Sequence, residues 1–237
     1  MPLSTQRVLF EDDDLLAVNK LSGELVVAGA GKSDKLSLLD FLRKEYPGLR
    51  ALHRLDFETS GVVLFARSKK AADAVLQSKF HGWEKAYRTL VARRMRRQSG
   101  AIRTPLPARG EGMVPAVTTY KVLEIFVNST YLEAGMHTGR HHQIRRHFAS
   151  IGYPLLLDEE YGSKAINRVF TREFRLRRFF LHAAKLSLPH PVTGEPLVIE
   201  APLPNTFERV LKLLRSVGKC TPLGRFVAAR VRHDATD

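Results

Sequence analysis

The chemistry that this sequence could perform centres on one carboxylate, Asp56, in the run HRLDFETSG at residues 53–61. The run stands directly before an apolar segment, VVLFA at residues 62–66, which predicts a buried strand. Asp56 follows the cation Arg54 and precedes a turn rich in hydroxyl groups, an arrangement suited to holding a charged side chain at the edge of a cleft. Because loops on a rigid scaffold often carry protein chemistry, Asp56 is the first candidate for a reactive residue.

A second group of polar residues, TGRHHQIRRH, occupies residues 138–147. A glycine before a predicted helix exposes backbone N–H groups, and a helix N terminus favours anions. Arg140, Arg145 and Arg146 carry planar cationic groups suited to phosphates and carboxylates. The run therefore indicates an anion-binding site, although a basic helix face exposed to solvent would have the same composition.

The histidines near these two runs raise the alternative of a metal site. Its ligands would be Asp56 and the histidines His53, His137, His141, His142 and His147. The spacing of His137 and His141 resembles a helical ligand pair, but His137 precedes the predicted helix. Because three arginines would also repel a cation, we expect no metal ion here. The acidic run at residues 11–14 is interpreted as a hairpin turn rather than a metal cluster.

The whole chain is strongly basic, with 38 Lys and Arg against 24 Asp and Glu and a formal net charge of +14. Such an excess favours a polyanionic partner, with nucleic acid ahead of an acidic membrane surface. Two further basic clusters, at residues 93–97 and 168–178, lie in segments predicted as loops, and we expect them to contact phosphates rather than only to aid solubility. No apolar segment is long enough to span a membrane.

Cysteine content and the N-terminal sequence predict the compartment. The single cysteine, Cys220, cannot form an internal disulfide, which fits a reducing environment. The N terminus lacks a basic and apolar signal peptide and reaches the acidic run early. We expect a soluble cytoplasmic protein that acts as a monomer.

A mixture of strands and helices must position the candidate residues. Strands are predicted at residues 7–10, 15–18, 62–66, 85–92, 117–126 and 131–136, with two more within 181–201. Helices are predicted at residues 38–42, 69–80, 141–151 and 205–217, with Ser37, Ser68 and Asn205 as N-caps of the first, second and last. Residues 29–33 and 95–115 are predicted as loops, and the chain from Lys219 onward as a poorly ordered basic tail. This order of elements predicts an α+β fold without a clean linker.

Several motifs, in order along the chain, resemble those of the RluA-type RNA pseudouridine synthases. The HRLD and TSG sequences within residues 53–61 resemble the family signature, and KAY at residues 85–87 resembles its tyrosine motif. Residues 139–147 (GRHHQIRRH) resemble its Gly-Arg-x-His-Gln-Ile-Arg-x-His motif. Further similarity at residues 11–20, 151–155, 158–162 and 181–191 extends the likeness over residues 7–205.

The resemblance implies the isomerisation of uridine to pseudouridine in ribosomal or transfer RNA, without a cofactor. It implies a pseudouridine synthase fold, in which a mixed, mostly antiparallel sheet is flanked by helices and an active-site cleft crosses the sheet. One catalytic domain would then span residues 1–237, with its core at about 7–205, a basic C-terminal helix and tail at 206–237, and no separate N-terminal RNA-binding module.

The resemblance also implies roles for individual residues. Asp56 would be the catalytic carboxylate, Arg145 its ion-pair partner, and Tyr87 the ring that packs on the target base. Arg54 would enter the RNA as the nucleotide leaves its stack. The other motif positions expected to bind RNA are His53, Thr59, Arg140, His142 and Gln143.

Three positions depart from the family pattern: Leu21 replaces a proline, His141 a small hydroxyl residue, and Leu157 a small residue. None of them removes a proposed catalytic residue, but His141 lies in the site motif and could affect which RNA is accepted. Two hypotheses of other classes remain at this point. One is a non-catalytic RNA-binding or folding factor on the same scaffold, and the other is a metal-dependent nuclease.

Overall fold

The computed structural model describes residues 5–28, 36–108, 110–136 and 138–219. Its strands in chain order are β1 (Val8–Glu11), β2 (Leu15–Lys20), β3 (Arg50–Ala51), β4 (Ser60–Ala66), β5 (Glu84–Ala92), β6 (Ser99–Ile102), β7 (Leu106–Pro107), β8 (Met113–Val114), β9 (Thr118–Ile125), β10 (Ser129–Met136), β11 (Leu181–Pro189) and β12 (Pro196–Glu200). Its α-helices are α1 (Leu38–Leu42), α2 (Lys69–Ser78), α3 (Gln143–Ser150), α4 (Lys164–Phe174) and α5 (Asn205–Lys219). The predicted loop at 29–33, the candidate ligand His137 and the predicted tail beyond Lys219 lie outside the described residues.

Contacts within the chain define two compact units. Unit 1 comprises Met1–Lys85 and His182–Pro202, and unit 2 comprises Ala86–Leu181 and Leu203–Asp237. In both units most strand pairs are antiparallel, which confirms the predicted α+β class. The single catalytic domain and the cleft across its sheet stay predictions.

Unit 1 is built around β4. This strand pairs with β2 in antiparallel and with β11 in parallel, and β12 continues from β11 in antiparallel. All of β4 is buried, as its apolar run predicts for a strand covered on both faces. At its start Gly61 has a φ of +112°, and a Cβ there would overlap the backbone of Ala183 on β11. This close approach requires glycine.

The predicted turns and caps of unit 1 are confirmed. β1 and β2 form an antiparallel hairpin, and Asp12 Oδ1 accepts hydrogen bonds from the N–H groups of Asp14 and Leu15 at 2.8 and 2.6 Å. Ser68 caps α2 by accepting from the N–H of Ala71 at 3.0 Å, and Ser37 forms a capping box with Asp40 at α1.

In unit 2 four strands pair in the order β5-β10-β9-β6, and β7 and β8 form a separate pair. The prediction that residues 95–115 lack regular structure was therefore wrong for β6, β7 and β8. The sequence SGAI of β6 has no strand pattern of its own; its pairing with β9 makes it a strand.

The loop prediction for residues 168–178 was wrong for residues 168–174, which lie in α4. The arginines there hid an apolar helical spacing that buries Ile166, Val169 and Phe170. Helix α5 is confirmed with the expected buried face, and Phe207 stacks on Phe180 at a ring distance of 3.8 Å. Asn205 is its first helical residue rather than its N-cap.

Candidate active site

The loop that carries Asp56 is fixed by hydrogen bonds to its backbone. The N–H of Thr59 donates to the Asp56 carbonyl at 3.1 Å, which closes a turn before β4. Lys20, whose side chain is fully buried, donates from Nζ to the carbonyl oxygens of Leu21 at 3.0 Å, Phe57 at 3.0 Å and Thr59 at 2.6 Å. A buried ammonium is stable only with such partners, so the loop and Lys20 fix each other. Sequence reasoning assigned Lys20 no role, because a lysine within an apolar strand does not reveal its acceptors.

His53, at the start of the same run, is anchored to β4. Its Nε2 accepts the N–H of Leu64 at 3.1 Å, and its ring contacts Trp83 edge-on at 5.8 Å between centres. Burial lowers the pKa of His53 well below its usual value, and the nearby charge of Lys85 lowers it further. Burial also lowers the pKa of Lys85, to about 8. Arg54 is exposed, as an RNA contact requires, whereas the neutral His53 has a structural position and its RNA contact stays a prediction.

The turn after Asp56 is buried. Thr59 is 1% exposed, so its predicted contact with RNA stays a prediction that its burial disfavours. The next residue, Ser60, donates from Oγ to Nδ1 of His182 at 2.9 Å, and Nε2 of His182 donates to the Ala201 carbonyl at 3.3 Å. This assignment uses the neutral tautomer of His182, whose pKa burial lowers to about 4.

In unit 2, Gln143 holds the loop before α3. Its Oε1 accepts from the Thr138 hydroxyl at 2.7 Å and the Arg140 N–H at 3.1 Å. Its Nε2 donates to the Val117 carbonyl at 2.9 Å and the Thr118 hydroxyl oxygen at 3.1 Å. Because its amide is engaged within the unit and the residue is 2% exposed, Gln143 shapes the loop, and its direct contact with RNA stays a prediction that burial disfavours.

Helix α3 begins at Gln143, two residues later than predicted, because His142 has a left-handed backbone with a φ of 51°. The side chain of His142 stacks on His141 at 3.7 Å and lies 3.2 Å from a carboxylate oxygen of Glu160. Arg140 and His141 are exposed and His142 is half-buried. The expected RNA contacts of Arg140 and His142 stay predictions, and the exposure of Arg140 is compatible with one.

Arg145, in the first turn of α3, is held by a carboxylate that sequence reasoning missed. Its Nε and Nη2 donate to the two oxygens of Asp158 at 2.6 and 2.8 Å, and Nη2 also lies 3.2 Å from Glu160. The guanidinium lies 4.9 Å from the ring centre of Tyr161 and 5.1 Å from that of Phe179. The bidentate ion pair with Asp158 and the two neighbouring aromatic rings fix the direction of the Arg145 guanidinium.

The carboxyl of Asp158 is ionised in this pair. Burial alone would raise the pKa of Asp158, but hydrogen bonds from Arg145 and from the N–H groups of Tyr161 and Glu160 lower it below its usual value. Asp158 lies in one of the segments that resemble the family, and this membership was the only signal in the sequence that could have identified it.

The three residues expected to be catalytic come from both units, since Asp56 lies in unit 1 and Tyr87 and Arg145 lie in unit 2. Tyr87 stands on β5 and is 5% exposed. The ion pair of Asp56 with Arg145 and the packing of Tyr87 on a base stay predictions. Taken separately, the loop of unit 1 offers a carboxylate, which suits a nucleophile or a base, and α3 of unit 2 offers a cation held in one direction.

The part of the chain that the structure describes holds no group of three His, Cys, Asp or Glu side chains that could bind a metal ion. Both ring nitrogens of His147 are engaged, with the Thr118 hydroxyl at 2.8 Å and the Thr104 carbonyl at 2.9 Å. Within the same described ranges, no helix is long and apolar enough to cross a membrane.

Comparison with known proteins identifies the family that this chain matches. A family model described as RNA pseudouridylate synthase matches residues 14–150. The chain is 37% identical over 223 residues to the ribosomal large subunit pseudouridine synthase C of Salmonella typhimurium, a match that covers 88% of this chain and 70% of that protein. Among solved structures, human RNA pseudouridylate synthase domain containing 4 has a TM-score of 0.74 at 26% identity, over 89% of this chain and 94% of the other. Human RNA pseudouridylate synthase domain containing 1 has a TM-score of 0.67 at 25% identity, over 91% and 98%.

Proposed function

Because the chain belongs to the RluA-type family of RNA pseudouridine synthases, we propose that it forms pseudouridine in large-subunit ribosomal RNA with Asp56 as its catalytic carboxylate. The family model and the curated relative confirm the family and the isomerase activity that the motifs predicted. The choice of RNA is supported by one observation, the 37% identity over most of the chain to a synthase named for the large ribosomal subunit. The proposal includes a cytoplasmic monomer that acts without a metal ion or other cofactor.

The reaction rearranges one nucleotide without net change in atoms. The N1–C1′ bond of uridine breaks, the uracil turns, and C5 bonds to C1′; C5 then loses a proton and N1 gains one. Asp56 acts either as a nucleophile at C1′ or as a base at C2′, and both roles require an ionised carboxylate. The hydrogen bonds of Lys20 to the loop keep the backbone around Asp56 in one conformation, which supports this role.

Arg145 and Tyr87 have supporting parts in the proposal. Arg145 would stand beside Asp56 and favour the charged form that the reaction needs. Asp158 holds Arg145 in one direction, so the cation is already oriented before RNA binds. The ring of Tyr87 would replace the stacking that the uracil loses when its nucleotide leaves the helix, which is worth about 1–3 kcal/mol.

The direct test is tritium release from RNA labelled at C5 of uridine. We expect wild-type protein to release tritium, and Asp56→Ala and Asp56→Asn to release none above background while they still bind RNA. Asp13→Asn is the matched control, since it removes an exposed carboxylate from the turn between β1 and β2 and should leave the rate unchanged. Release by Asp56→Asn at the wild-type rate would show that Asp56 is not the catalyst. Tight RNA binding by a wild type that forms no pseudouridine would favour the non-catalytic RNA-binding factor.

A second test addresses Arg145. We expect Arg145→Met to bind RNA with little change while turnover falls by about two to three orders of magnitude, because the cation stabilises charge only during the reaction. Titration of RNA in a binding assay and the tritium assay measure the two effects separately. Equal losses of binding and turnover would assign Arg145 to RNA binding instead.

A further inference from the structure

A basic groove in unit 2 is not used by the proposed mechanism. It encloses about 340 Å³ and is lined by Arg93, Arg94 and Arg96 on one segment and by Ile151, Gly152 and Tyr153 on another. This volume is at the lower end of those that hold small ligands in proteins. The second segment directly follows α3, so the groove lies about 10 Å along that helix from Arg145.

The arginine segment is held in a defined shape. The hydroxyl of Thr130, which is fully buried, donates to the Arg93 carbonyl at 2.9 Å and accepts the N–H of Met95 at 2.9 Å. The N–H of Arg93 donates to the Asn128 carbonyl at 2.8 Å. Met95 is buried, whereas its neighbours Arg94 and Arg96 are exposed. The buried side chain of Thr130 thus anchors a short segment whose arginines are exposed to solvent.

Arg93 occupies a strained position in this segment. Its φ is +71°, in the left-handed region that glycine adopts readily and that other residues adopt rarely. Strain of this kind persists where surrounding contacts enforce it, and it occurs frequently at functional sites. The two backbone hydrogen bonds of Arg93 supply that enforcement.

The opposite wall is equally well held. The N–H of Tyr153 donates to the Phe148 carbonyl at 2.9 Å, and the N–H of Ala92 donates to the Pro154 carbonyl at 2.8 Å, which ties this wall to the end of β5. Gly152 has a φ of +81°, and a Cβ there would lie 3.9 Å from Nη1 of Arg93. The guanidinium of Arg93 therefore lies near Gly152, within the groove.

The charges of the groove are not compensated. Among the described residues, none of its three arginines forms a salt bridge, whereas Arg88, Arg172 and Arg215 each pair with a glutamate. The lining also contains no carboxylate. Three guanidinium groups without a protein anion favour a phosphate, which arginine binds through paired hydrogen bonds. Tyr153 adds an aromatic ring, the side chain on which single-stranded RNA bases stack.

We propose that this groove binds one nucleotide of the substrate RNA other than the uridine that is modified. Its phosphate contacts Arg93, Arg94 and Arg96, and its base packs on Tyr153. The inference rests on the proposed function, since it takes the ligand to be the RNA substrate. It assigns to this groove a share of the affinity for RNA and none of the chemistry.

The test compares two variants that lose the same charge. Arg93→Gln/Arg94→Gln/Arg96→Gln removes the groove cations, and Lys44→Gln/Lys69→Gln/Lys70→Gln removes three exposed cations from unit 1. Binding of a short fluorescein-labelled oligouridylate is measured by anisotropy over a range of KCl concentrations. For the groove variant we expect about tenfold weaker binding and a salt slope shallower by about 1, whereas the control should change by less than twofold. Tyr153→Leu should weaken binding about fivefold without changing the slope.

Kinetics on large-subunit ribosomal RNA separate the two proposals. We expect the groove variant to raise KM about tenfold and to leave kcat within twofold of wild type. If the groove variant has the same RNA affinity and salt slope as the lysine control, the proposed nucleotide site is wrong, whatever the activity of the variant. A wild type that forms no pseudouridine, with binding that still depends on the three arginines, would overturn the proposed function and leave the groove as an RNA site.

Discussion

The two regions that carry the proposed catalytic residues are stabilised by buried ions of opposite sign. In unit 1 the cation Lys20 donates to the backbone carbonyls of Phe57 and Thr59, which lie one and three residues after Asp56. In unit 2 the anion Asp158 accepts two hydrogen bonds from the side chain of Arg145. The first arrangement fixes the shape of a loop, and the second fixes the direction of one charge. The proposed catalytic carboxylate and the proposed supporting cation are thus held by different kinds of contact.

Both regions also contain a glycine with no room for a side chain. A Cβ on Gly61 would overlap the backbone of Ala183, and a Cβ on Gly162 would overlap the carbonyl of Asp158. The first contact packs β11 against the start of β4, directly after the loop that carries Asp56. The second packs Gly162 against the backbone of Asp158 itself. We therefore expect the loss of Lys20 and the loss of Asp158 to lower the free energy of unfolding by different amounts.

The largest effect is expected from Asp158→Asn. This change leaves the buried Arg145 guanidinium without its anion, and loss of one partner of a buried pair costs about 3–5 kcal/mol. Urea denaturation should show this loss in the free energy of unfolding. Glu160→Gln is the matched control, because Glu160 also contacts Arg145 but its side chain is 51% exposed, and it should cost less than about 1 kcal/mol. Equal effects of the two variants would mean that Asp158 does not act as the buried counter-ion.

A smaller loss, about 3 kcal/mol, is expected from Lys20→Met. The variant leaves carbonyl groups without their donor, but it also removes the buried charge itself, whereas Asp158→Asn leaves one behind. Methionine has a similar shape, so the packing changes little. The exposed Lys69→Met serves as control in the same urea experiment. A loss greater than that of Asp158→Asn would reverse the proposed order of the two ions.

Lowering the pH is expected to affect the stabilising contacts of the two regions to different extents. The folded-state pKa of His182 is about 4 against an unfolded value near 6.5, so the unfolded chain takes up a proton first and stability falls as the pH drops from 6.5 towards 4. Between pH 7 and pH 4.5 this loss is about 2 kcal/mol, while Asp158, whose pKa is held below its usual value by Arg145, stays ionised. Urea unfolding at both pH values should show a smaller pH dependence for His182→Gln than for wild type. An unchanged dependence would place the titration elsewhere.

Local sequence patterns predicted the elements of the site better than its partners. The apolar run of β4, the Ser68 cap and the buried face of α5 depend on neighbours along the chain, and each is confirmed. Helix α4 was missed because its arginines suggested a solvent-exposed loop, and β6 because only its pairing with β9 makes it a strand. The motifs identified the family, since long ordered matches need no knowledge of contacts.

Partners distant in sequence were beyond such reasoning. Lys20 reaches carbonyls 37 and 39 residues away, and no side-chain pattern encodes a backbone acceptor. Asp158 reaches Arg145 across the end of α3, where the sequence offered several carboxylates of equal standing. Gln143 and Thr59 were expected to contact RNA because they stand in the motifs, yet both are buried, which a motif does not indicate.

The most direct test of the account is to map pseudouridines in large-subunit ribosomal RNA from a strain that lacks this gene. Complementation with the wild-type gene, with Asp56→Asn and with Asp13→Asn completes the design. We expect one or more pseudouridines to disappear with the gene, to return with wild type and Asp13→Asn, and to stay absent with Asp56→Asn. Return of those pseudouridines with Asp56→Asn would contradict it.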